Sequence, residues 1–231
     1  MKIIWLGHAS FRLELAGKVL LIDPWLAGNP MLTEDQYEAA TKGTTHILLT
    51  HGHFDHSDDV LDLTKKLGAT LVGQFDLLSY WSEKESIEVV AFNKGGTVDL
   101  GDIAVTMVNA VHSSSLMSED GPKCAGSECG YMIATQDHVI YVSGDTDVTT
   151  DMGIFNDLHA PDIGILAAGG HFTMDMERAT YAAKKFFNFK TIIPCHYRTF
   201  PILEQSAQVM KDGLPEVDVI EPEVMQPIRI D

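Results

Sequence analysis

Long apolar runs are missing from this chain of 231 residues. No stretch approaches the roughly 20 residues needed to cross a bilayer, so a membrane-spanning role is set aside. The opening Met1-Lys2-Ile3-Ile4-Trp5-Leu6-Gly7-His8 holds one cation and too short an apolar run for a signal peptide, and reads as a first strand. Cysteine is scarce. Cys124, Cys129 and Cys195 give no even disulfide framework, and the Cys124-x4-Cys129 spacing is not the C-x2-C of a typical zinc site, so free thiols in a reducing cytoplasm are expected. Basic residues are few: 16 against 33 acidic ones, a formal charge of −17. Such a surface repels polyanions and argues against nucleic-acid or anionic-membrane docking as the main activity, while leaving room for a small anionic substrate. Low-complexity segments and long linkers are also absent. With 45% hydrophobic residues the chain can bury a sizeable core, and residues 1–231 are expected to form one domain.

What is present in abundance is histidine in one place. Thr50-His51-Gly52-His53-Phe54-Asp55-His56 packs four metal-binding side chains into six positions. Imidazole nitrogen and carboxylate oxygen are ligands for first-row metals. The apolar His46-Ile47-Leu48-Leu49 before it reads as a buried strand. A helix over Asp59–Leu67 is expected after it, with Ser57 or Asp58 as N-cap. On such a turn His51 and His53 can point to one side and Asp55 and His56 to another, which suits two adjacent ions better than one.

The rest of the chain supplies further donors at strand ends. Strands are expected over Lys2–Leu6, Phe11–Leu15 and Lys18–Ile22. His8 follows the first and Asp23-Pro24 ends the third, where a carboxylate can hold a metal-binding imidazole by its second N–H. Trp25 to Thr45 is polar, with one helical turn near Glu34–Ala40. Strand Thr70–Val72, helix Phe75–Glu83 and strands Ile87–Phe92 and Thr97–Leu100 follow in a β-α-β-α rhythm, which implies parallel pairing with helices outside the sheet. Strand Ile103–Ala110 leads to His112, the natural third imidazole beside His51 and His53. Ser113 to Cys129 reads as a lid-type loop. Hairpin strands Tyr131–Thr135 and His138–Ser143 run into Gly144-Asp145, where an aspartate can enter a metal site with both oxygens; Asp147 is expected to cap the next helix. After strand Asp162–Leu166, a Gly-rich loop carries His171 into a helix over Met176–Phe187 capped by Thr173 or Asp175. Strand Thr191–Ile193 ends at His196, with Tyr197 and Arg198 placed to contact substrate. A helix over Ile202–Lys211 and two edge strands finish the chain. Each half thus repeats strands, a donor at a strand end, then helices, without a close sequence repeat.

His51-x-His53-x-Asp55-His56 after an apolar strand resembles the H-x-H-x-D-H signature of the metallo-β-lactamase superfamily. Gly7-His8-Ala9-Ser10-Phe11, Asp23-Pro24-Trp25, His112-Ser113-Ser114-Ser115, Gly144-Asp145-Thr146 and His196-Tyr197 are similar to its ascorbate-phosphate lactonase-like branch, and within that to a group of uncharacterised prokaryotic metal-dependent hydrolases. The resemblance covers nearly the whole chain. It implies an α/β fold, a four-layer αββα sandwich of two mixed sheets with helices on both outer faces. It implies one ion at His51, His53 and His112, a second at Asp55, His56 and His196, and Asp145 bridging them. Asp23 stands behind the ligands. The cofactors implied are two divalent cations, zinc foremost, with manganese, nickel or iron also accepted by this donor set. They would activate a hydroxide to cleave a small ester, a lactone or a phosphodiester, with Asp55 orienting it and taking its proton. His8 and His171 are candidates for catalytic or substrate roles. The expected partner is a small molecule, not nucleic acid or membrane, and homo-oligomerisation is left open. Two other readings stand beside this one. A non-catalytic metal-dependent sensor fits less well with a complete ligand set, and a di-iron oxidoreductase would be expected to carry a carboxylate where His53 stands.

Overall fold

The computed structural model describes residues 1–231. The chain divides into two compact units, one of Met1–Asn93, Ser113–Glu128 and Glu223–Asp231, the other of Lys94–His112 and Cys129–Pro222. In chain order, the first unit begins with β1 (Lys2–Gly7), β2 (Ser10–Leu15), β3 (Lys18–Ile22), α1 (Tyr37–Thr41), β4 (His46–Leu49), α2 (Phe54–Ser57), α3 (Val60–Leu67), β5 (Thr70–Gln74), α4 (Phe75–Glu85) and β6 (Val89–Phe92). The second unit opens with β7 (Thr97–Asp99) and β8 (Ala104–Asn109). The chain returns to the first unit for β9 (Ser115–Ser118) and β10 (Gly121–Cys124). It then completes the second with β11 (Cys129–Ala134), β12 (Val139–Val142), α5 (Asp151–His159), β13 (Ile163–Ala167), α6 (Met176–Phe186), β14 (Thr191–Cys195), α7 (Gln208–Gly213) and β15 (Asp218–Val219), and closes with β16 (Pro227–Arg229) in the first.

Each unit is built on one seven-stranded mixed sheet. The first runs β16-β1-β2-β3-β4-β5-β6, antiparallel as far as β3 and parallel from β3 to β6. The second runs β15-β14-β13-β12-β11-β8-β7, parallel from β15 to β12 and antiparallel from there to β7. The parallel strands read as unbroken apolar runs because both their faces are covered: Ile47, Leu48 and Leu49 in β4 and all of β13 are buried. Helices pack by narrow faces. In α3 the buried residues are Val60, Leu63 and Thr64, and Gly68 closes it in the left-handed conformation. In α6 they are Met176 and three alanines, Ala179, Ala182 and Ala183, whose small side chains let the helix lie close; the Asp175 carboxylate caps it by accepting from Arg178 N at 2.7 Å.

The donor-bearing positions all follow strands at their carboxyl ends: His51 after β4, His112 after β8, Asp145 after β12, His171 after β13 and His196 after β14. In α/β sheets this is the end where ligands bind.

Four local expectations are corrected. The helix expected over Asp59–Leu67 forms as α3, Val60–Leu67, preceded by the short α2 that begins within the cluster at Phe54, but its cap differs: Asp59 heads it. Neither Ser57 nor Asp58 caps it: Ser57 Oγ donates to Gly52 O, and the Asp59 carboxylate instead accepts from Leu26 N at 2.6 Å and Ala27 N at 2.8 Å. The segment read as a lid loop contains the β9–β10 hairpin, with Ser118 Oγ donating to Gly121 O at 2.7 Å across its turn. Asp147 does not cap α5. Its carboxylate is taken by the Arg178 guanidinium and Val148 N, and Thr150 heads the helix. The last helix starts at Gln208, because residues 198–204 hydrogen-bond back to the Gly-rich loop: Glu204 N donates to Gly169 O, and Arg198 N to Glu204 O, both at 2.8 Å.

Asp162, at the head of β13, ties the sheet to its hairpin. Its carboxylate takes His138 Nδ1 at 2.8 Å and Val139 N at 3.0 Å. Burial opposes its ionisation, but the His138 and Val139 hydrogen bonds outweigh that and hold the carboxyl below its usual range. A depressed carboxylate pKa stabilises the fold above the unfolded-state value and loses that contribution as pH falls through the folded one. Asp162→Asn is therefore expected to cost about 1 kcal/mol at neutral pH. The gap to the wild type should close under acid. Denaturant titrations at several pH values check this, and a gap that widens under acid contradicts it.

Candidate metal centre

In the first unit the site is organised by one buried carboxylate. Asp23 lies just past β3, 1% exposed, with a positive φ of 44°. Its Oδ1 accepts from Thr50 N at 2.7 Å; its Oδ2 accepts from Thr50 Oγ1 at 2.6 Å and sits 2.8 Å from His56 Nδ1. These bonds settle two tautomers. The carboxylate only accepts, so His56 carries its proton on Nδ1 and presents Nε2 as its basic nitrogen. The Thr50 hydroxyl spends its one proton on Asp23, so its oxygen accepts from His51 Nδ1 at 3.0 Å. His51 is thereby also left with a basic Nε2.

That Nε2 meets His53 Nδ1 at 3.0 Å, so two imidazole nitrogens converge on one point. On the other side of the turn, Asp55 Oδ2 lies 2.9 Å from His8 Nε2, and His8, Asp55 and His56 offer donor atoms within 4.8 Å of one another. The His51 and His56 rings are 4.1 Å apart, so the two groups adjoin. Gly52, between the first two histidines, is required by packing. A Cβ there would meet Ala125 Cβ at 2.7 Å and the Ser115 carbonyl at 3.3 Å. The root of the β9–β10 hairpin thus lies on the turn. Ser114 Oγ accepts from Gly52 N at 3.1 Å, and Ser113 Oγ lies 3.3 Å from His53 Nε2.

In the second unit three strand ends converge. Asp145 Oδ2 is 3.1 Å from His196 Nε2 and 3.6 Å from His112 Nε2. Val111 N donates to Thr146 Oγ1, and Asp147 N to Val111 O, which seats His112 beside the Asp145 turn. Gly169 is needed for His196, because a Cβ at 169 would run into the His196 carbonyl. His171 is exposed, its ring edge-on to Phe172. Tyr197 is fully buried and burial pushes its hydroxyl up to about 12, so it stays a neutral phenol. Arg198, expected at the substrate, lies over the Tyr197 ring and donates to Pro222 O.

His8, Asp23, His171, His196 and Arg198 all adopt positive φ, between 44° and 65°. Such backbones cost about 1–3 kcal/mol each and gather at functional sites. The donor chemistry fits divalent cations in both units: imidazole nitrogens, those of His51 and His56 with assigned tautomers, and carboxylates, the borderline-to-hard set of zinc and its neighbours. The hydroxyls of Thr50, Ser113 and Ser114 carry no role in the sequence reading. The Thr50-His51 dipeptide and the Ser run after His112 are the only signals pointing to them.

Residues 2–196 match the family profile described as Beta-lactamase superfamily domain. The chain is 64% identical over 230 residues to a UPF0173 metal-dependent hydrolase of Dinoroseobacter shibae, covering 100% of both. Igni18, a novel metallo hydrolase from the hyperthermophilic archaeon Ignicoccus hospitalis, superposes with a TM-score of 0.85 at 27% identity, covering 98% of this chain and 97% of that one. CmlA, a diiron beta-hydroxylase from Streptomyces venezuelae, superposes with a TM-score of 0.72 at 13% identity over 99% of this chain and 54% of that one, a likeness of fold alone.

Because Asp23 fixes His56 directly and His51 through Thr50, Thr50→Val should lower metal affinity about 10- to 100-fold, and Asp23→Asn at least as much. Competition with a chromogenic chelator measures this. Affinities within twofold of the wild type would show that the carboxylate does not position the ligands.

Proposed function

We propose that this chain, which belongs to the beta-lactamase superfamily and to its UPF0173 metal-dependent hydrolases, hydrolyses a small ester, a lactone or a phosphodiester, with two divalent cations. That it is a metal-dependent hydrolase with the metallo-β-lactamase fold follows from its family and its neighbours. The finer reading assigns His51, His53 and His112 to one cation, Asp55, His56 and His196 to the other, and Asp145 to both. One observation carries it: a single Asp145 oxygen lies 3.1 Å from His196 and 3.6 Å from His112, imidazoles assigned to different ions. A carboxylate so placed would serve both cations and offset part of their charge.

Cations held there would bring the pKa of water towards neutrality and withdraw charge from the ester oxygens. The protein's own groups do the rest. Asp55 takes the proton as the water oxygen bonds to the carbonyl carbon or phosphorus, and returns it to the leaving alkoxide as the ester bond breaks. His8 Nε2 holds the Asp55 carboxylate in the orientation this transfer needs. His171 contacts the substrate or the leaving group. The substrate is a small molecule rather than a nucleic acid, in keeping with the −17 charge. The chain works as one domain in a reducing cytoplasm, in keeping with an exposed Cys124 thiol; no helix is long and apolar enough to cross a membrane. Zinc is the first candidate cation, with manganese, nickel and iron compatible with the same donors.

Metal-loaded protein assayed against a panel of lactones and phosphodiesters tests this. Turnover of one class is expected, with His51→Ala and Asp145→Ala each reducing kcat by at least about 10²–10³-fold. Metal bound at full occupancy with no turnover of either class would leave a sensing role in its place. His171→Gly separates strain from chemistry. It should raise the thermal midpoint, by relieving up to about 1 kcal/mol of left-handed backbone, while lowering kcat. An unchanged kcat removes His171 from the site.

A further inference from the structure

Away from the metal donors, the first unit contains a cavity, about 540 Å³ in volume, between α4 and the β9–β10 hairpin. This is within the size range of small-molecule sites, about 300–1,000 Å³. Its bed is apolar: Leu77 and Trp81 from α4, Leu116 and Ala125 from the hairpin. Tyr80 and Met117 also line it and stay 55% and 70% exposed, a large apolar surface for two neighbouring elements to leave in water.

Its charge runs against that of the chain. In a protein with twice as many acids as bases, two lysines, Lys84 and Lys123, line the groove against one carboxylate. That carboxylate, Asp76, is turned to the Gln74 amide at 2.8 Å. Lys84 lies over the Tyr80 ring, 5.7 Å from its centroid, at the wall of the groove. Lys123 has only a 3.5 Å contact with Asp120, which is 87% exposed, and such surface pairs hold a lysine weakly. The groove is also held open by its ends. The Gln74 side chain caps α4 by accepting from Leu77 N and packs against Gly126, and Ser114 Oγ joins Ala125 O to Gly52 N.

We propose that this groove binds a medium-chain acyl carboxylate, with the chain on the Leu77–Trp81–Leu116–Ala125 bed and the anionic head at Lys84 and Lys123. Apolar area accounts for the chain and the reversed charge for the head. The hairpin that forms one wall is the one whose root rests on Gly52 and His53, so an occupant also stiffens the metal-binding turn.

Cys124 lines the groove and is exposed, whereas Cys129 and Cys195 are buried, so its alkylation by iodoacetamide reports occupancy without relying on hydrolysis. The metal-loaded protein is alkylated in the presence of hexanoate, octanoate and decanoate, with acetate and octyltrimethylammonium as controls. Saturable protection of Cys124 is expected from the longer carboxylates. Its affinity should rise by up to about fourfold per added methylene, the value of burying one CH₂. Neither control should protect, and Lys84→Met with Lys123→Met should abolish protection by octanoate, metal content and thermal midpoint being checked in parallel. No saturable protection of the wild type, a flat dependence on chain length, or equal protection by the cationic amphiphile would each overturn the proposal, whatever becomes of the lysine variants.

Discussion

The Asp23 carboxylate is the interaction on which the ligand turn depends. Burying a charge is costly unless every lone pair finds a donor, and Asp23 finds a backbone N–H, a hydroxyl and an imidazole. The same three bonds tie β3 to the turn after β4, and they decide which nitrogen of His51 and of His56 is basic. Stability and ligand orientation therefore rest on the same atoms. A metal site built this way needs little rearrangement to accept an ion, because the tautomers are chosen by the fold.

The second unit reaches the same end by different means. There the backbone does the positioning: the turn after β12 is bonded to Val111 beside His112, and the loop after β13 to the segment following His196. Glycine at 169 gives the His196 carbonyl room. The left-handed backbones at His8, Asp23, His171 and His196 show what this precision costs. The long apolar strands behind them, buried on both faces, supply the stability that sustains such strain. Within the second sheet β8, β12, β13 and β14 run in the same direction, so their carboxyl ends and the loops that follow share one edge.

Much of this was legible in the sequence, and for a physical reason. Parallel strands such as Ile163–Ala167 are apolar throughout and stand out, and Asp145 and His196 follow such strands within a few residues; His112 follows β8, which pairs antiparallel on both sides and was marked by its histidine rather than by its strand. The family resemblance rested on those same positions and is borne out by the matches over residues 2–196 and over the full length of its relatives. What escaped was set by partners distant in sequence. Asp59 forgoes capping because Leu26 and Ala27 bring two amides to its carboxylate. Asp147 does so because Arg178 reaches it from α6. Residues 202–207 do not form helix because Gly169 claims an amide there. The β9–β10 hairpin has no alternating pattern to announce it, since one of its strands, Gly121–Cys124, holds a glycine and a proline.

In the proposed reading Asp145 would join two cations in one site. Electron paramagnetic resonance of metal-free protein titrated with Mn²⁺ tests it directly. A spin-coupled signal that reaches its maximum at two ions per chain, and is lost in Asp145→Ala, is the predicted result. A single ion per chain, or two ions that keep the hyperfine pattern of isolated Mn²⁺, would contradict it.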